Sequence, residues 1–511
     1  MSSLALQFGR KGVARRLRTG LLFGILCGLL CGLFCTSASA QESLDDIDGT
    51  KKAETGKKIS ADVNGYVDNR FQYAYINPSK TLVPTINQPS LLEILEGNIQ
   101  LKVSIGQKAF VYADVSLIYQ NGWLYYDRDQ NGDRVKIDDH DVSTLRPFIV
   151  PSELYVSVAP KNWLNLLVGK KRIIWGSGFA FNPTDLINPP KDPTDPNFQR
   201  AGQWVARIEL PFEKFTISTL FAPQVLYQQN GLPFAMMKYP DYQLSDGTKP
   251  ADDAYHYLFA ARLYLLLFNT DINLFYFFSN KYNDSFENTS RFGGSFSRYF
   301  FTDYELHFEA LFQFGSGKLF ANHACANGGI CNPSTALSAS KLTDGNLYPR
   351  LLVGGRTQFR DESTLSLEYY YQGDGYSALE FEDYLRLLAR AQAAGITTIS
   401  QPTGGTTGAV PQRFTFDPLR RHYLFLSYNK PKIRDDFSIG ATLIAGLSDL
   451  SGTISPTVSW NAQEWLTLSL FGFIPIRGIP VGTVNINDVS YSEYSLLPMD
   501  FRFLFEARAF Y

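Results

Sequence analysis

The last eleven residues, 501–511 (FRFLFEARAFY), constrain the fold more than any other stretch of the chain. Alternate positions put Phe501, Phe503, Phe505, Ala507, Ala509 and Tyr511 on one side and Arg502, Leu504, Glu506, Arg508 and Phe510 on the other. A period of two is that of a β-strand, whose successive side chains point to opposite faces. One face here is apolar and largely aromatic, the other is mostly charged, and no polar tail follows. Such a strand fits a transmembrane barrel, where the outward side meets lipid and the inward side meets water.

Residues 1–40 read as a secretory signal. Arg10, Lys11, Arg15, Arg16 and Arg18 form a basic region, residues 21–34 are apolar, and Ala38-Ser39-Ala40 gives a small-residue cleavage pattern. The polar stretch 41–60 reads as a periplasmic leader, and 61–511 as an outer-membrane barrel. After the signal no apolar run approaches the roughly eighteen residues of a spanning helix. Aromatic residues make up 14% of the chain while hydrophobic content is an ordinary 45%. A barrel explains the pairing, because only alternate residues face lipid and the interfacial girdles are aromatic. The net charge of −2 gives no sign of a nucleic-acid partner. Cys325 and Cys331 remain after the signal, six apart in a Gly- and Asn-rich loop. An exported chain meets an oxidising compartment, so a local disulfide is expected; a metal site that adds His323 is the alternative.

The rest of the chain repeats the alternating unit. Residues 62–75, 95–105, 109–119, 304–314, 437–447 and 466–474 all alternate, and a tight Gly106-Gln107 turn joins the second and third of these. Short turns at 160–162, 211–214, 268–270, 301–303, 360–362, 431–434 and 462–464 alternate with long connections at 120–146, 175–201, 223–253, 315–346 and 373–419. Sorting of connections by parity marks a barrel with two unlike ends, and the count comes to about eighteen antiparallel up-and-down strands. The strand at 164–174 is the least regular, since Lys170, Lys171 and Arg172 in succession cannot all avoid lipid. One helix stands out at 382–394, as a cap over the loops or a plug in the lumen.

A barrel of this size leaves an aqueous lumen, so its inward residues decide what it does. Basic positions (Arg70, Lys102, Lys171, Arg207, Arg262, Arg350, Arg356, Arg502, Arg508) and acidic ones (among them Asp68, Glu96, Glu153, Glu209, Glu305, Glu309, Glu368 and Glu506) nearly balance. For most of them cross-strand pairing is the expected role. One stretch departs from this background: residues 169–202, GKKRIIWGSGFAFNPTDLINPPKDPTDPNFQRAG. Its prolines leave little hydrogen-bonded regularity. It is placed either to fold inward as a constriction, with Lys170, Lys171, Arg172, Asp185, Lys191, Asp192, Asp195 and Arg200 setting the local field, or to stand as a rigid external loop.

Residues 127–138 (DRDQNGDRVKID) carry calcium-loop spacing at Asp127, Asp129, Asn131 and Asp138, without flanking helices. A solvated acidic loop, or one sharing divalent ions with lipopolysaccharide, fits the same residues; no other cofactor is expected. No catalytic grouping emerges from the scattered histidines, and a nucleophile elbow is absent from the sequence.

The Gly-basic strand at 169–172 followed by a Trp-Gly and Asn-Pro-rich loop resembles the porin-like outer-membrane barrels of Gram-negative bacteria, including the alginate-export type. The terminal aromatic, Tyr511, resembles their C-terminal sorting signature. These resemblances imply a non-enzymatic channel in the bacterial outer membrane for small hydrophilic solutes. They also imply contact with lipid and lipopolysaccharide, and recognition of the last strand by the barrel assembly machinery. An exporter of a polysaccharide or hydrophobic compound, or a plugged barrel serving as adhesin or scaffold, are the alternatives on the same fold.

Overall fold

The computed structural model describes residues 59–77, 89–128, 134–137, 148–188, 202–224, 256–281, 287–301, 303–329, 336–338, 340–341, 344–393, 398–399, 408–409, 418–479, 485–486, 489–497 and 499–511. The expected signal and nearly all of the leader lie outside them, as do Lys191, Asp192, Asp195, Arg200, Asp129, Asn131, Asp138 and Cys331.

One antiparallel sheet of nineteen strands contains the fold. Eighteen close into a ring: β1 (Ile59–Ile76), β2 (Pro89–Ile105), β3 (Ala109–Arg128), β4 (Phe148–Lys161), β5 (Leu164–Lys171), β6 (Gln203–Pro211), β7 (Phe215–Gln224), β8 (His256–Leu267), β9 (Thr270–Lys281), β10 (Glu287–Phe300), β11 (Tyr304–Phe314), β12 (Leu347–Gln358), β13 (Thr364–Gln372), β14 (His422–Ile433), β15 (Phe437–Gly446), β16 (Ser451–Gln463), β17 (Leu466–Ile476) and β18 (Met499–Phe510). The nineteenth, Arg134–Ile137, pairs with β3 alone. The ring shuts where β18 pairs with β1, through Phe505 opposite Phe71 and Ala509 opposite Val67. Closure gives each of the eighteen ring strands a neighbour on both sides, which is what an apolar solvent demands of a sheet.

Alternation places the outside and the inside. Ile99, Leu117, Leu274, Phe292, Leu470 and Phe503 are exposed on the outer face, while Asp68, Glu96, Ser295, Glu309, Glu368 and Ser469 are buried on the inner one. An apolar exterior suits lipid, while the inner face carries these buried polar groups beside apolar side chains such as Leu220, Leu258 and Phe277. Six of the short turns carry an exposed aromatic at their tip or flank: Trp163, Phe212, Phe268, Phe301, Phe359 and Trp465. Phe268 and Asn269 form a two-residue turn with φ of 53° and 56°, the left-handed backbone that matches strand twist.

The first three strands run longer than their alternation suggests. β2 begins at Pro89 rather than 95, and β3 continues to Arg128 rather than 119. A bilayer crossing takes about 9–11 residues, so these extensions stand beyond it and their side chains need not alternate. Backbone pairing carries them, with Leu91 opposite Trp123 and Leu92 opposite Gly122, and Arg134 packs on the rings of Tyr75 and Tyr126.

At the long-loop end, the connections after β11, β13 and β17 share one apolar core. It includes Phe320, Leu337, Phe381, Leu385, Leu388, Leu419, Tyr491 and Leu496. A one-turn helix, α1 (His323–Ala326), and a longer one, α2 (Ala378–Ala393), belong to it. The α2 helix starts four residues earlier than expected because Ser377 and Glu380 form a reciprocal cap. The Ser377 N–H donates to Glu380 Oε2 at 2.8 Å and the Glu380 N–H donates to Ser377 Oγ at 3.3 Å. The core of α2 is made with other loop residues, and this cluster of connections is referred to below as the cap.

Candidate functional site

Gly169 starts the site. Its φ is +137° and an added Cβ would lie 2.3 Å from the Leu154 carbonyl, so only glycine fits. Regular alternation breaks there, as the three consecutive basic residues require. Lys170 turns back, buried, with Nζ donating to the Pro151 carbonyl at 2.6 Å. Lys171 lies over the Tyr155 ring at 4.5 Å, and β5 ends. The Arg172 N–H then donates to Glu153 at 2.7 Å.

From this point the chain enters the barrel. Residues 173–188 leave and return at one place, where the Asn188 amide accepts from the Ile173 N–H at 3.2 Å and donates to the Ile173 carbonyl at 2.6 Å. The result is an Ω-loop closed at its base. Its outward run follows the inner wall strand by strand. Trp175 stacks on Phe275 of β9 at 5.9 Å, and Ser177 and Gly178 meet Glu309 of β11. Phe179 to Phe181 meet Glu368 of β13, and Phe181 lies 6.0 Å from Tyr423 of β14. From β5 to β14 the segment thus reaches half-way round the ring.

A loop inside a barrel has backbone donors that no strand satisfies. Two wall carboxylates satisfy six of them. Glu309 accepts from the N–H groups of Ser177, Gly178 (2.8 Å) and Thr184 (3.2 Å), and from the hydroxyls of Ser177 (3.2 Å) and Thr184 (2.7 Å). Glu368 accepts from the N–H groups of Phe179, Ala180 (2.9 Å) and Phe181 (3.4 Å), and His307 Nε2 stands 3.1 Å from its Oε1. Both carboxylates are fully buried. A carboxylate is an acceptor only, with room for about four donors, so each of these side chains is saturated. Gly178 permits the approach: a Cβ there would fall 1.9 Å from the Phe181 carbonyl and 2.5 Å from the Leu352 side chain.

Of the other residues that the sequence placed in the lumen, two touch this loop. Arg262 lies 6.0 Å from the Trp175 ring and donates to Asn273 at 2.8 Å. Arg356 lies 5.1 Å from the Phe179 ring and 3.3 Å from Glu305. Asp185 is buried in the loop and accepts from Asn188 at 2.8 Å. Arg207 and Glu209 pair with each other at 3.5 Å, and Arg350 pairs with Asp374 at 3.0 Å beneath the cap. Across the ring, at the closing seam, Arg508 reaches Asp68 at 3.1 Å and Glu506 at 2.9 Å, and Arg70 pairs with Asp68 and Glu96. Cross-strand ion pairs thus join Arg508 to Asp68, Arg70 to Glu96 and Arg356 to Glu305, whereas Arg207–Glu209 and Arg508–Glu506 pair within one strand and Arg350 reaches a loop carboxylate.

Asp127 and Arg128 pair with Val135 and Arg134 in a strand ribbon. Cys325 is buried in the cap core. The residues that sequence reading missed are Ser177, Thr184 and Asn188, small polar groups whose role exists only once the loop is inside.

No family model and no curated protein matches this chain. Solved structures with some similarity include Pseudomonas aeruginosa OccK7 (OpdD), at 10% identity over 89% of this chain and 99% of that one, with a TM-score of 0.41. Pseudomonas aeruginosa OccK11 (OpdR) gives 8%, 88%, 95% and 0.44, and Acinetobacter baumannii OccAB3 gives 7%, 88%, 99% and 0.42. Likeness of this degree tells nothing of solute or mechanism, which rest on the chain's own geometry.

Proposed function

We propose that the chain is an outer-membrane channel for small hydrophilic solutes, and that residues 173–188 narrow it. The observation that carries this reading is that Glu309 and Glu368 each accept three backbone N–H groups of one inward loop. A ring of eighteen strands encloses more space than its own side chains fill. Without a reason to hold a loop at that depth, two fully buried carboxylates would be a costly way to line it. Lys171, Arg262 and Arg356 on the loop side and the paired charges at the seam would then border the remaining passage, so a permeating solute meets charge of both signs. Lipid would cover the apolar exterior, lipopolysaccharide would meet the long-loop end, and the last strand would serve the barrel assembly machinery as its signal.

The test is single-channel conductance of the refolded mature chain in planar bilayers, in potassium chloride. Steady conductance that rises in Glu309→Ala and Glu368→Ala supports the reading. Silence from a barrel shown to be folded by its heat-modifiable mobility refutes it.

A further inference from the structure

Three long connections, far apart in sequence, meet on one side chain. Tyr423, the second residue of β14, is fully buried. Its hydroxyl donates to the Glu493 carboxylate at 2.7 Å, in the connection after β17. The same hydroxyl accepts from the Arg420 N–H at 2.6 Å, in the connection after β13. Its ring lies against Phe181 of the internal loop. Phe181 in turn stacks on Tyr370 at 4.7 Å, so its place under Tyr423 is fixed from two sides.

Each contact leads into the cap or the loop. Glu493 also accepts from the Leu419 N–H at 2.7 Å, and its own N–H donates to Asp449 at 2.8 Å. The Arg420 guanidinium lies 4.9 Å from the Phe381 ring of α2 and donates to the Tyr376 carbonyl at 3.3 Å. Phe381 is fully buried in the cap core. A contiguous path therefore runs from α2 through Arg420, Tyr423 and Phe181 to the carboxylate clamps.

Buried hydrogen bonds and close packing resist small, independent displacements; they hold or they break. If the cap lifts, Tyr423 loses Glu493 and Arg420, and its ring no longer seats Phe181. Withdrawal of Phe181 leaves a void beneath the same ring. We propose that Tyr423 joins the cap and the internal loop into one gating unit, so that displacing the cap at the external face changes the width of the passage. The effect on the passage rests on the channel reading above; the coupling itself does not.

The experiment reads each half while perturbing the other, in the full refolded chain. Hydrogen exchange of α2 amides is measured in Phe181→Ala, and exchange of residues 173–188 together with conductance is measured in Glu493→Gln. Coupling predicts that each distant segment exchanges about tenfold faster than in the parent, within the range that linked sites produce. It also predicts more frequent conductance transitions in Glu493→Gln. Faster exchange confined to residues 173–188 in the first variant and to the cap in the second would overturn the proposal. Should Phe181→Ala fail to fold by heat-modifiable mobility, Phe181→Leu takes its place. Absence of any conductance would sink the channel reading, while the exchange measurements would still decide the coupling.

Discussion

Tyr511 lies across Gly65 and donates its phenol hydroxyl to the carbonyl of Asn98, 2.8 Å away on β2. The last residue of the chain therefore reaches over the first strand to the second. Its backbone pairs with Gly65 as well, accepting at 3.3 Å and donating at 3.1 Å. A Cβ on residue 65 would sit 2.3 Å from both the Asn98 carbonyl and the Tyr511 hydroxyl. Tyr511→Phe is expected to lower the unfolding free energy by about 1 kcal/mol, the net value of one hydrogen bond. Gly65→Ala should cost more, roughly 1–3 kcal/mol, because backbone cannot yield as a side-chain tip can. The double variant should resemble Gly65→Ala alone, since both changes remove one contact. Heat-modifiable mobility across a temperature series measures all three.

Glu309→Ala strips the acceptor from the N–H groups of Ser177, Gly178 and Thr184 at once. Hydrogen bonds to a charged group contribute about 1.5–3 kcal/mol each, and water in the lumen recovers part of that. A net loss of about 3 kcal/mol shifts loop docking on the order of a hundredfold. The expected record is higher mean conductance with more open-channel noise. Glu309→Gln, which keeps one carbonyl oxygen, should fall between.

The architecture was legible from residue pattern because lipid and water impose a period of two wherever a strand crosses the bilayer. Residues 304–314 show it, and β11 has those bounds. Pattern weakens where that constraint ends, which is why the far part of β3, from residue 120 to Arg128, reads as a connection in the sequence. The start of α2 was missed for a different reason: Ser377 and Glu380 carry a capping signal that is local and polar, and the apolar stripe begins after it. At the candidate site, the composition of residues 169–202 singled out the loop. It could not say whether the loop lies inside or outside, because that depends on Glu309 and Glu368, more than 120 residues away.

Acid should loosen the cap before it unfolds the barrel. Burial raises the Asp374 carboxyl, but the charges of Arg350 and Lys318 and the hydroxyl of Ser316 outweigh it, and the group is held below the ordinary aspartate value of 3.8. Glu380 is likewise lowered, burial being offset by Lys341 and Ser377. A carboxylate depressed on folding contributes stability that is fully present above its unfolded value and is lost as pH falls through the folded one. Exchange protection of α2 should therefore stay flat from about pH 8 to about pH 5 and fall only in stronger acid. Asp374→Asn should lower protection at neutral pH and flatten the acid limb.

Gly169 provides the sharpest contrast between two glycines of the same barrel. At Gly169 an added methyl meets the Leu154 carbonyl at 2.3 Å and the Tyr155 Cα at 2.6 Å, on backbone whose φ of +137° already disfavours any side chain. Relief would move Tyr155, and with it the seat of Lys171 and the entry of the internal loop. Gly169→Ala is expected to cost roughly 1–3 kcal/mol and to speed hydrogen exchange across residues 173–188, although the substituted residue touches none of the loop's clamps. Gly97, in β2, has nothing within 4 Å of the position its Cβ would take. Gly97→Ala should therefore change stability by no more than about 0.5 kcal/mol and leave the loop's exchange unaltered. Equal behaviour of the two variants would show that the break at Gly169 does not set the loop's entry, and that the clamps alone position it.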